Sequence, residues 1–333
     1  MNSASLRVRG KVRDWDLVTR AAILIVMVVA FSFVIPDFSS FNNIFAVLQV
    51  VSPIGIAALG VGLTMLAGEF DLSIGSMAVL GGVISILLVG NGPVVFIVVP
   101  VLVGAMLGGL QGQLISRLNV SSLVITIGTL ILFRGIAYVL AGDTSVSLTN
   151  FDIGATLNQR SWIFFSPLSI VFLGLAVVMW LLLSFTKFGH EVYAIGGGRR
   201  EAEAAGLASR RPLTLVFAFS GSMGALAGAL VSLSIGGATP TGFTEVLLSS
   251  IAAAVIGGIA LSGGKGSPWG IVLGALALGL ISNFVSILGA PVFVAQFLTG
   301  GLLLAALAAE MLSSRSKPGG AALLAAGPVK DTA

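Results

Sequence analysis

Ile56-Ala57-Ala58-Leu59-Gly60-Val61-Gly62-Leu63-Thr64-Met65-Leu66-Ala67-Gly68-Glu69-Phe70-Asp71-Leu72-Ser73-Ile74-Gly75-Ser76 runs from an apolar segment through a short polar break into a second apolar segment. The alternation continues in both directions, giving apolar stretches over about 17–35, 44–67, 76–91, 93–114, 122–141, 166–185, 213–235, 247–262, 269–288 and 293–311. The 76–91 and 247–262 stretches are the shortest. A bilayer core about 30 Å thick needs about 20 apolar residues per helix, and only helices or closed barrels satisfy their backbone hydrogen bonds there. The chain of 333 residues is 56% hydrophobic and 9% charged, with mean hydropathy +1.09; a soluble domain carries about 25% charged residues. Its 44 glycines suit a bundle whose helices approach closely, because small residues replace the hydrophobic effect as packing device in lipid. The expected fold is an all-α integral membrane protein of about ten transmembrane helices.

The basic residues set the orientation. With both termini in the cytoplasm, Arg7, Arg9, Lys11, Arg13 and Arg20 precede or open the first helix. Inner loops then hold Arg117, Lys187, Arg199, Arg200, Arg210, Arg211 and Lys265, and the tail holds Arg315, Lys317 and Lys330. Only Arg160 falls outside and Arg134 within a span. Such a bias follows the positive-inside rule, so the pI of 9.9 reports topology and contact with membrane lipid, not nucleic acid. The basic N-terminus lacks a small-residue cleavage site before or within the full-length first helix, which reads as uncleaved. With no cysteine, disulfides, thiolate metal sites and cysteine nucleophiles are excluded. The expected organisation is one transmembrane domain over 1–333. It comprises a cytoplasmic segment 1–16, a core 17–312, a long inner loop 186–212 and a disordered tail 313–333.

An internal repeat is visible at an offset of 195. Ile56 to Gly75 aligns with Ile251 to Gly270, placing Gly62 on Gly257, Leu66 on Leu261 and Gly68 on Gly263. Each copy is an apolar helix, a glycine-containing polar break and another apolar helix. The breaks are Gly68-Glu69-Phe70-Asp71-Leu72-Ser73 and Gly263-Gly264-Lys265-Gly266-Ser267-Pro268. Six spans separate them, so the repeat is parallel and both breaks face one side, an arrangement typical of transporters.

These motifs carry a resemblance. Gly68-Glu69-Phe70-Asp71-Leu72-Ser73-Ile74-Gly75-Ser76 resembles the G-x-x-D-L-S-x-G-S segment of ribose-type sugar ABC importer permeases, within the branched-chain amino acid/sugar permease superfamily. Leu132-Phe133-Arg134-Gly135, Gly189-His190-Glu191-Val192-Tyr193-Ala194-Ile195-Gly196-Gly197 and the block 251–274 are similar to further segments of that family, in order, over about residues 17–312. Gly198 stands where many relatives have Asn, and Glu69 where Ile or Val is common. The resemblance implies a multi-pass subunit of the bacterial inner membrane without its own ATPase. Its partners would be a cytoplasmic ABC ATPase, a second permease copy (identical or paralogous) and a periplasmic solute-binding protein. The chain has no G-x-x-x-x-G-K-[ST] phosphate loop of its own; ATP and Mg would be used by the partner, and no cofactor or metal is expected here.

In the inner loop, Arg199-Arg200-Glu201-Ala202-Glu203-Ala204-Ala205-Gly206-Leu207 is a short helix-forming run closed by Gly206 and Pro212, with Ala202, Ala205 and Leu207 as a small apolar surface. The resemblance makes it the helix that docks on the ATPase; by composition alone it is equally a solvated loop whose cations retain topology. Glu69 and Asp71 lie at a break at membrane level, where charge is costly unless paired or wetted. Asp71 suits capping of the next helix, with Lys265 as a partner, or the pair suits a gate or proton site. Gly68, Ser73, Gly263, Gly264 and Gly266 complete the break candidates. Arg134, a permanently charged donor fork, and Gln49, Thr126, Asn283 and Gln296 either line a pathway or bridge helices. His190 has no companion ligands and reads as a surface histidine. Asp143, Asp152, Arg160 and Glu245 are candidates for contact with a delivery protein. The expected function is ATP-driven uptake of a pentose or related sugar or polyol by alternating access. Alternatives are branched-chain amino acid or nucleoside import, an ion-coupled transporter using Glu69 or Asp71, or an intramembrane enzyme, for which the sequence offers no cysteine, no Ser/His arrangement and no paired in-span acids.

Overall fold

The computed structural model describes residues 3–118 and 120–315. The helices are α1 (Ser3–Val34), α2 (Phe41–Leu66), α3 (Ile74–Leu87), α4 (Pro93–Leu118), α5 (Ser122–Ala141), α6 (Asp152–Asn158), α7 (Pro167–Phe185), α8 (Lys187–Gly197), α9 (Arg199–Ala204), α10 (Arg210–Ile235), α11 (Thr244–Ile256), α12 (Pro268–Ile287) and α13 (Val292–Arg315). Of the tail expected to be disordered, 313–315 belong to α13 and 316–333 lie outside the described residues. The first helix opens at Ser3 rather than near 17, carrying the basic segment into α1.

Every apolar segment is helical, but they are not equal. Seven helices are long and apolar enough to cross a membrane: Leu17–Val34 of α1, and α2, α4, α5, α7, α10 and α12. The segments expected at 76–91, 247–262 and 293–311 give shorter apolar helices, Ile74–Leu87, Glu245–Ile256 and Val292–Ala308. The 247–262 segment stops at Ile256 for a local reason. Gly257 lies against the Gly270 carbonyl and Gly258 takes a left-handed φ of +82°, a conformation that glycine adopts without penalty. Hydropathy does not register such a turn.

α10 forms the centre, packed on α2, α3 and α4. Gly104, Gly108 and Gly112 repeat every four residues along α4 and meet α10 directly. A Cβ on Gly108 would collide with the Phe217 carbonyl, and one on Gly104 with the Gly221 carbonyl. Lipid-embedded helices associate through this close van der Waals contact, because tails and side chains are equally apolar. On the other side Phe31 of α1 stacks on Phe284 of α12 at 4.1 Å between ring centroids. Much of the bundle's outside is apolar and exposed, for example Leu102, Met106 and Leu110 on α4 and Val124, Ile127 and Ile131 on α5.

One end of the bundle carries α8 and α9; the other carries α6 and a two-stranded antiparallel ladder, β1 (Val146–Ser147) with β2 (Gly237–Ala238), paired Val146 to Ala238. The loop expected over 186–212 is therefore mostly helix. Pro212 does not close α9 but lies buried in the first turn of α10, where a missing N–H removes no intrahelical bond. α9 ends instead at Gly206, left-handed at φ +87°.

Candidate functional site

The two breaks, far apart in sequence, touch. Gly68 (φ +78°) and Gly263 (φ +80°) share a left-handed conformation, and a Cβ on Gly263 would lie 2.7 Å from the Gly68 Cα. The Gly264 amide donates to the Leu66 carbonyl at 2.9 Å. The helices leading into the breaks differ: α2 runs to Leu66, whereas α11 ends at Ile256, the counterpart of Val61. The C-terminal end of α8 is wedged into this crossing. A Cβ on Gly196 would collide with the Leu66 carbonyl and sit 2.6 Å from the Gly264 nitrogen, so three backbones meet where only glycine fits. Tyr193 of α8 donates its hydroxyl to the Gly266 carbonyl at 2.9 Å.

The charges order themselves around this crossing. Arg199, opening α9, lies 3.6 Å from Glu69 and donates from Nε to Glu203 Oε1 at 3.2 Å. Glu203 also accepts from the Ser209 hydroxyl. These contacts hold the exposed Glu203 carboxyl below the ordinary range, the Ser209 hydrogen bond first and Arg199 second. Beside Glu69, Ser122 Oγ at the start of α5 accepts from the Phe70 amide at 3.1 Å. Gly198 caps α9 without a side-chain bond, so both departures from the family pattern, Gly198 and Glu69, flank Arg199. Within the expected apolar surface, Ala202 is buried against the core and Leu207 packs on it; Ala205 is exposed, as are Arg200 and Glu201. An open depression of ≈ 480 Å³ beside it is lined by Glu191, Ala205, Gly206, Leu207, Ala208, Arg211 and Pro212.

Asp71 is fully buried, and Lys265 is not its partner: Lys265 is exposed. Asp71 Oδ1 accepts from the Ser73 amide at 2.9 Å and its hydroxyl at 2.6 Å, and Oδ2 from Ser220 of α10 at 2.7 Å. Gln111 of α4 donates to Ser73 Oγ at 2.9 Å and to Thr129 Oγ1. Burial selects hydrogen-bond donors here because an isolated buried charge is otherwise prohibitive. The Ser73 amide belongs to the turn that opens α3, so the carboxylate does bond the next helix's start.

The remaining pathway candidates are dispersed. Gln49 bridges α2 to Asn158 at 3.2 Å and accepts from Ser166 at 2.7 Å, at the α6 end. Thr126 bonds its own helix at the Ser122 carbonyl, 2.8 Å away. Arg134 reaches the Gly242 carbonyl at 3.5 Å, while Asn283 is buried. Gln296 reaches Glu245 at 3.4 Å. Arg160 bonds Asn42 and lies over the Phe45 ring at 5.2 Å; Asp152 is bonded by Asn150 at 2.8 Å. Ser122, Gln111, Thr129 and Ser220 are not singled out by sequence, and Tyr193 and Gly196 enter there only as part of the Gly189–Gly197 motif. Of the first four, Gln111, a polar residue inside an apolar span, carries a readable signal.

Residues 43–307 match the family described as branched-chain amino acid transport system / permease component. The chain belongs to this permease family. The permease is 33% identical over 271 residues to the ribose import permease protein RbsC of Haemophilus influenzae, covering 80% of this chain and 84% of that one. It is 30% identical over 306 residues to the D-allose transport system permease protein AlsC of Escherichia coli, covering 90% and 93%. It is 32% identical over 312 residues to the L-arabinose ABC transporter permease protein AraH of Azospirillum brasilense, covering 91% and 90%. No solved structure matches it. Family membership and seven apolar helices of crossing length make the permease a multi-pass protein of the bacterial inner membrane.

Proposed function

We propose that the permease is the transmembrane subunit of an ATP-driven sugar importer, carrying a pentose or a related sugar or polyol by alternating access. The observation that carries this reading is that relatives named for ribose, allose and arabinose align over 80–91% of the chain. The subunit has no ATPase of its own. A cytoplasmic ABC ATPase binds ATP and Mg, two permease copies enclose the pathway, and a periplasmic binding protein delivers the solute. Both termini are cytoplasmic, and the three shorter apolar helices complete ten crossings of one domain with a parallel repeat. α9, with Arg200, Glu201 and Ala205 exposed, faces the ATPase, and the depression beside it receives part of that partner. The two helix breaks move with α9 and change which side of the pathway is open. Gln49, Thr126, Arg134 and Gln296 act first as bridges between or within helices.

The family description itself keeps branched-chain amino acids as the second substrate class. Uptake into proteoliposomes holding the permease, its ATPase and its binding protein separates the two. Labelled ribose or arabinose accumulates only with ATP inside the ATPase compartment, and unlabelled leucine does not compete. Competition by leucine or a nucleoside assigns the alternative substrate. Accumulation that follows a proton or sodium gradient without ATP refutes the ATP-driven reading.

A further inference from the structure

We propose that the Arg199–Glu69 ion pair is the latch that fixes α9 on the break between α2 and α3, so that α8, α9 and both breaks move as one body. The proposal rests on the ATP-driven reading above and goes beyond it by naming the positioning residues. Three observations converge. Glu69 and Arg199 are 130 residues apart, on different elements, with side chains only 14% and 24% exposed. A pair this shielded is screened less by salt than a surface pair. α9 has six residues and no side-chain cap at Gly198, so it is too short to hold its own orientation. Arg199 supplies that orientation by bonding Glu203 within α9 and Glu69 on the break. The neighbouring contacts are backbone against backbone at Gly68, Gly196 and Gly263, plus Tyr193 on Gly266. Packed glycine contacts yield discrete arrangements rather than gradual deformation.

The same geometry separates two roles that a helix at this place could play. Arg200, Glu201 and Ala205 face outward and are available to a partner. Glu69 faces inward, only 14% exposed and paired with Arg199. Loss of Glu69 therefore disturbs transmission without touching the docking face.

The test is solute transported per ATP hydrolysed, in proteoliposomes of the full complex, for Glu69→Gln, Arg199→Gln, Arg199→Lys and the double Glu69→Gln/Arg199→Gln. Copurification of the ATPase is measured alongside. Expected are a roughly tenfold fall in the ratio for each Gln variant and a double variant no worse than either single, the non-additivity of partners in one contact. Arg199→Lys, which keeps a charge for Glu69 but loses the second nitrogen that bonds Glu203, falls between wild type and Arg199→Gln, and the ATPase copurifies with all four. The latch is overturned if Glu69→Gln keeps the wild-type ratio, if the two Gln effects multiply, or if Arg199→Lys falls as far as Arg199→Gln. Loss of the ATPase from Arg199→Gln also overturns it, since Arg199 then docks the partner. If wild type itself neither binds an ATPase nor uses ATP, the functional reading fails, a result distinct from all of these.

Discussion

At the α9 end, Glu69, Arg199 and Glu203 form the two ion pairs found among the described residues, set on backbones that touch at three glycines. At the α6 end the described residues form no ion pair, and the ties are wetter. Asn158 bonds the Ser234 carbonyl at 3.0 Å and accepts from the Ser234 hydroxyl at 2.7 Å, both exposed. Gln49 joins the same group at 3.2 Å, and the ladder there is two residues long on each strand. Exposed neutral hydrogen bonds exchange readily with water and contribute little net stability. Glycine-to-glycine contacts cannot exchange, since any separation opens a void and strands a carbonyl. One end is thus tightly fitted and the other compliant.

The contrast breaks most visibly at Gly196. Gly196→Val drives a side chain into the Leu66 carbonyl and the Gly264 amide. Overpacking plus the lost Leu66–Gly264 bond is expected to cost on the order of 4 kcal/mol, seen as a sharp fall in melting temperature in detergent. A melting temperature close to wild type would show that the crossing is not rigid. Next comes Asp71→Ala, which leaves the Ser73 and Ser220 donors unsatisfied and should cost about 2–3 kcal/mol. Asp71→Asn, retaining an acceptor, should cost about half as much in the same melt. Asn158→Ala at the α6 end should cost no more than about 1 kcal/mol, and an effect as large as that of Gly196→Val would erase the contrast.

The finest distinction is by pH. The Glu203 carboxyl is held below its ordinary range by Ser209 and Arg199, so the order it contributes is present above the unfolded carboxylate pKa of about 4.3 and is lost as pH falls through the lower folded value. Amide exchange, corrected for its intrinsic pH dependence, should show residues 199–206 losing protection below about pH 4 while the backbone at Ala238 and Leu148 keeps its own. Equal loss at both places would mean the acid effect is global and not set by Glu203.

Much of this was written in the sequence, and the limits are instructive. The long helices were legible because transfer into lipid depends on composition over about 20 residues, which a window of sequence contains. α8 was missed because its eleven residues mix Lys187, His190 and Glu191 with a short apolar face, Val192 and Ile195, that only the core reveals. The early end of α11 escaped because Gly257 and Gly258 sit in an unbroken apolar run. Asp71 was singled out correctly as a charge needing partners, but Lys265 was the wrong partner. Three-dimensional proximity supplied Ser220, 149 residues away, and no spacing rule reaches that far. Gly198 is noticeable only as a departure from a pattern, Glu69 also as an acid at a membrane-level break, and Arg199, which pairs with Glu69 and follows Gly198, gives both a place.

The most direct measurement is copurification of the ATPase with the permease carrying Arg200→Glu and Arg211→Glu, two exposed cations at the α9 end that take no part in the Arg199 contacts. A permease driven from this end retains its ATPase as wild type and loses it in the variant, with an unchanged melting temperature. Full retention of the ATPase by the variant would place the docking face elsewhere and contradict drive through α9.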